Sequence, residues 1–144
     1  MFAVINPAAI FLPVLVVVAL TFVGLVRLAV ARAGTIRGGH PPQYYRAQLG
    51  EPEPEATVVA VRHWSNLYEL PTLFYAACIS AYVLNAVIGL VLGLAWAYVA
   101  ARLAQSLVHL TYNKPAHRGL AFMVGAVCVF ALWAVLAVAV FARV

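Results

Sequence analysis

The stretch Val61-Arg62-His63-Trp64-Ser65-Asn66-Leu67-Tyr68-Glu69-Leu70-Pro71 places four polar side chains, Arg62, His63, Asn66 and Glu69, at the mouth of an otherwise apolar run. If that run enters a membrane, the four groups need partners within the protein. An ionised carboxylate one or two turns into a bilayer costs several kcal/mol unless it is paired. The reading of this stretch therefore separates an inert membrane bundle from one that carries a site.

The composition puts the chain in a membrane. Of 144 residues, 66% are hydrophobic and 9% are charged, where a soluble domain carries about 25% charged residues. A net charge of +5 in so apolar a chain gives no reason to expect a nucleic-acid partner. Cys78 and Cys128 lie in separate apolar runs and suggest neither a disulfide framework nor a metal site. The four histidines are spread over separate elements, so no metal is expected. The first apolar run is too long for a signal-peptide core and is followed by Arg27 and Arg32, so it reads as a retained span.

Apolar length and polar interruptions predict a single all-α membrane domain over residues 1–144, with spans at about 8–31, 58–84, 86–110 and 118–141. Asn6-Pro7 suits a helix cap and first turn. The polar connections are expected at about 32–57, rich in Gly, Pro and alternating Glu, and at about 111–117, where Pro115 interrupts the helix. Asn85–Gly89 is so short that spans two and three must form an antiparallel hairpin. Gly89 and Gly93, four residues apart, allow a close backbone approach to a neighbour, as a common small-residue spacing does. Arg27, Arg32, Arg37, Arg46 and Arg62 cluster around the first connection, and Lys114 and Arg118 around the last. The positive-inside rule then puts both connections in the cytoplasm and both termini outside.

On a helix turning about 100° per residue, Arg62, Asn66 and Glu69 share one face, with His63 at its edge near the interface. Arg102, Gln105, His109 and Tyr112 form a second polar stripe on span three. The hairpin should bring the two stripes together. Arg62 and Arg102 are alternative partners for Glu69, and Arg118 completes a group of three arginines against one carboxylate. A purely structural network would balance its buried charges, so this excess predicts a pocket for an anionic guest. Asn66 and His109 are equally consistent with packed, hydrogen-bonded roles.

Four spans, a long first connection, the pattern R-x-x-x-N-x-x-E-x-P at Arg62, Asn66, Glu69 and Pro71, and Arg102 in span three resemble the MAPEG family, the membrane-associated proteins in eicosanoid and glutathione metabolism. The run H-L-T-Y-N-K-P-A-H-R-G from His109 to Gly119 resembles that family's third connection. The resemblance covers essentially the whole chain and is to bacterial-type members similar to microsomal glutathione transferases. It implies a four-helix membrane bundle, a homotrimer, and glutathione held between subunits in an inner membrane. It also implies that Arg62, Asn66, Glu69 and Arg102 hold glutathione, that Arg118 stabilises its thiolate, and that His109 or Tyr112 supplies a hydrogen bond. The second substrate would be an apolar electrophile or a lipid peroxide arriving from the bilayer. Trp64, Ser65 and His109 stand where better-known members carry histidine, arginine and tyrosine. The alternative expectation is a non-catalytic relative that binds lipid or another small thiol, or scaffolds a partner.

Overall fold

The computed structural model describes residues 6–48 and 50–144. A 3-10 turn, Pro7–Ile10, opens the chain, and the Asn6 side chain accepts from the Ala8 amide at 3.0 Å, as expected for a cap. It runs into α1, Phe11–Arg37. This helix continues past Gly34, six residues beyond the expected end of the span, because no proline intervenes until Pro41. The connection holds one short helix, α2, Tyr44–Ala47, ended by Gln48 at φ 54° and followed by Gly50 at φ 109°.

The stretch expected to run without interruption over 58–84 is two helices, α3 (Glu55–Asn66) and α4 (Leu70–Val83). After the turn at Asn85, φ 48°, the chain continues as α5 (Gly89–Leu110) and α6 (Pro115–Phe141). No strand occurs among the described residues. Pro7–Arg37, Gly89–Leu110 and Pro115–Phe141 are each long and apolar enough to cross a membrane.

Helices α5 and α6 pair along most of their length, α1 lies against α3, and α4 lies against α6. The shared core sits toward the end that carries the Asn85 turn. There Phe74 of α4 stacks on Tyr98 of α5, ring centroids 4.2 Å apart, among Ala77, Ala81, Ala95, Leu132 and Leu136. The opposite end, here termed the connection end, carries the 38–54 and 111–114 segments and gathers the buried polar side chains.

Within the chain, Gly93 makes no close approach. Gly93 is exposed, and a Cβ there would meet nothing within 4 Å. Gly24 is instead where α1 meets α3: a Cβ would lie 2.6 Å from Leu67 Cδ1 and 3.6 Å from His63 Nδ1. Gly125 of α6 gives similar access to the Tyr98 ring, at 3.5 Å.

Candidate functional site

The geometry of the connection end begins with Pro71. A proline has no N–H, and inside a helix its ring collides with the carbonyl four residues earlier, here that of Leu67. Accordingly α3 stops at Asn66 and tightens, with Leu67 N donating to Trp64 O and Tyr68 N to Ser65 O, both at 3.0 Å. The chain turns at Glu69, ψ −87°, and α4 starts with Pro71 in its first turn, where the missing donor costs nothing. The Asn66 carbonyl, deprived of its helical partner, accepts from Nη2 of Arg102, whose Nη1 donates to Gln105 Oε1. Arg102 is only 1% exposed. Its guanidinium therefore repairs the broken helix and does not face a cavity.

This break changes the expected polar face. The Asn66 Nδ2 turns back to donate to Arg62 O at 3.0 Å. Arg62 is exposed and lines a separate cavity of about 380 Å3 with Arg32, Tyr45 and Glu53. Glu69, set off the face of α3 by the turn, is exposed and makes no ion pair. The one ion pair among the described residues joins Arg32 Nε to Glu53 Oε1 at 3.8 Å. Three arginines do not converge on Glu69, because one points elsewhere and one is bonded to backbone.

What does converge is a smaller set. Asn66, Glu69, Gln105, Pro115, Arg118, Gly119 and Phe122 line a cavity of about 220 Å3 where the break, α5 and the start of α6 meet. Its Arg118 is half-buried in the first turn of α6 and is held by a hydrogen bond from Nη1 to Asn113 Oδ1 at 2.8 Å. Asn113 reaches that position through a left-handed backbone, φ 45°, which asparagine tolerates better than most residues. The cavity presents one fixed cation, one unpaired carboxylate and two amide side chains. That set can hold a small molecule carrying both charge signs, with the guanidinium placed to stabilise a developing anion.

His109 and Tyr112 are elsewhere. Both line a third cavity, of about 490 Å3, with Arg27 and Glu55. The Tyr112 hydroxyl is bonded to His117 Nδ1 at 3.0 Å, and Tyr112 is exposed. His109 is 1% exposed, with its ring edge-on to that of His63, centroids 5.2 Å apart. His63 is also buried and not interfacial as expected, and its Nε2 bonds the Ser106 hydroxyl at 3.1 Å. The histidine pair faces inward because α1 closes over it at Gly24.

Of the residues singled out from the sequence, the structure unites Asn66, Glu69 and Arg118, and separates Arg62, Arg102, His109 and Tyr112 from them. Gln105 and Phe122 join the cavity without having been assigned to a site. Gln105 was visible as the residue three after Arg102 in the polar stripe. Nothing in the sequence marks Phe122, one aromatic in a long apolar helix.

Fold and site together define an all-α integral membrane protein with a polar cavity at one end of its helices. The chain belongs to the MAPEG family, whose model matches residues 10–138. Neither a curated protein nor a solved structure matches it.

Proposed function

We propose that the protein is a glutathione-dependent membrane transferase or peroxidase whose cavity at Asn66, Glu69, Gln105 and Arg118 holds the thiol tripeptide. The observation that carries this is the meeting of an unpaired carboxylate and an anchored arginine in one cavity of a family member. Glu69 receives the ammonium of glutathione, and Asn66 and Gln105 bond its amides. Arg118 lies beside the sulfur and favours the thiolate, lowering a thiol whose ordinary pKa is about 8.5. The thiolate then attacks carbon in an apolar electrophile, expelling its leaving group, or attacks the terminal oxygen of a lipid hydroperoxide. The second attack breaks the O–O bond to release the alcohol and leave glutathione sulfenic acid, which a second glutathione converts to the disulfide and water.

The cavity's size supports an assembly. Ligand sites usually run from roughly 300 Å3 upward, and about 220 Å3 is too little for a tripeptide. Glutathione also has two carboxylates, whereas the cavity has one arginine. A neighbouring subunit of a homotrimer supplies the missing wall and a second cation, for which the exposed Arg62 is available. In this reading α3 and α4 together make the second of four crossings. The connections face the cytoplasm of a bacterial inner membrane, with both termini on the other side.

The test is glutathione conjugation to a generic aromatic electrophile by detergent-purified protein. Arg118→Ala should reduce turnover by about 100-fold, the usual loss for one transition-state donor, while glutathione affinity changes by less than tenfold. Absence of glutathione binding to the wild type at millimolar concentration would sink the proposal.

A further inference from the structure

The cavity of about 490 Å3 between the end of α1, the start of α3 and the end of α5 plays no part in the glutathione reading. Its walls carry one cation, Arg27, and one carboxylate, Glu55, both exposed. They form no ion pair with each other or with any other described residue. His109 lines the same cavity, 1% exposed; its ring makes no hydrogen bond of full geometry and only a weak one toward the Val59 backbone. A neutral imidazole offers one N–H and one lone pair; with the N–H toward Val59 the lone pair is left open, and a buried acceptor without a donor is unfavourable. Val59, Ala60 and Leu110 supply an apolar wall.

These groups ask for a guest with both charge signs. A simple anion on Arg27 would leave Glu55 facing it with like charge, and a simple cation would do the same to Arg27. The open lone pair of His109 adds an acceptor for the cationic end of such a guest. Arg27 stands near the end of the long apolar run of α1, the level at which basic side chains reach lipid headgroups.

We propose that this cavity binds a small zwitterion of the ethanolamine-phosphate type, its oxyanion on Arg27, its ammonium on Glu55 and His109 hydrogen-bonded at its inner wall. A primary ammonium donates hydrogen bonds to the carboxylate, whereas the methylated ammonium of choline has no N–H to give. The same chemistry is offered by a phospholipid headgroup and by the free phosphoamine. This site is independent of glutathione, so either proposal can fail alone.

The experiment has two arms. In detergent, calorimetry of the 144-residue chain compares O-phosphoethanolamine, phosphocholine and inorganic phosphate. In nanodiscs, thermal unfolding compares phosphatidylethanolamine with phosphatidylcholine. The ethanolamine form should be preferred by about tenfold, the scale of one charge-assisted hydrogen bond. Glu55→Gln should erase the preference, and Arg27→Gln should weaken binding by about tenfold. Both positions are exposed, and both variants should keep wild-type helix content and glutathione affinity within twofold, about 0.4 kcal/mol. A preference confined to nanodiscs assigns the site to lipid, and a preference in both arms extends it to the free zwitterion. Equal binding of the ethanolamine and choline forms in both arms, or a preference that survives Glu55→Gln, overturns the proposal.

Discussion

Along α5, Val91, Ala95, Tyr98 and Val99 are buried to much the same degree as Arg102, Gln105, Ser106 and His109, yet the two sets are held by different forces. The first set packs against Phe74, Ala77, Leu132 and Leu136, and its only unpartnered polar atom among these described residues is the Tyr98 hydroxyl. In a bilayer such packing gains little from the hydrophobic effect, because lipid tails are as apolar as leucine. Fit supplies the stabilisation there, and alanines with Gly125 let the helices come close. In the second set Arg102 is bonded to Gln105 and to the Asn66 carbonyl of α3, and Ser106 to His63 of α3, while His109 makes no hydrogen bond of full geometry. A carbonyl left open in hydrocarbon is costly, and Arg102 closes one. Toward the Asn85 turn the bundle is fastened by shape, and at the connection end by hydrogen bonds.

That comparison can be broken by substitution. Arg102→Met should have the largest effect on stability, about 3 kcal/mol, because it leaves the Asn66 carbonyl and the Gln105 oxygen without a donor. The measurement is reversible unfolding in mixed detergent micelles, and a loss below about 1 kcal/mol would remove the repair role from Arg102. Phe74→Ala tests the other end. Only the cavity penalty applies in lipid, so the expected loss is about 2 kcal/mol, smaller than the same change in many soluble cores. A cost above that for Arg102→Met would reverse the contrast between the two ends. His109→Phe should move stability least, by under about 1 kcal/mol in either direction, since it deletes at most a weak bond to the Val59 backbone. A large destabilisation of the ligand-free protein would show that His109 is strongly bonded after all.

Much of the bundle was legible because bilayer thickness dictates the length of an apolar run, and because the short connection at 111–114 leaves α5 and α6 little choice but to pair. The hairpin expected across Asn85–Gly89 is different, since α4 lies chiefly against α6 and touches α5 little. Three helices long and apolar enough to cross a membrane follow from the apolar runs, and the resemblance to the MAPEG family rests on the motifs at Arg62–Pro71, Arg102 and His109–Gly119. The proline was legible too. Its consequence lies beyond periodicity: a helix wheel over Arg62, Asn66 and Glu69 assumes the hydrogen-bond ladder that Pro71 interrupts. Gly89 and Gly93 show a related limit, since spacing identifies where a helix could be approached but not which neighbour comes. Gly24, with no glycine four residues away, is the one that α3 uses.

The Val61–Pro71 stretch shows where that division falls. Sequence alone determined that these polar groups stand at the mouth of an apolar run, where any that enter hydrocarbon need partners, and that the helices after it carry candidates. Only the tertiary structure decided how they are shared. Arg102 is bonded to the open carbonyl of Asn66, Arg62 turns to another cavity, and Glu69 is left facing Arg118 across a small one. The reason is directional. Periodicity fixes the azimuth of a side chain only while the helix is unbroken, and which donor reaches an open carbonyl depends on the packing of residues 36 positions apart.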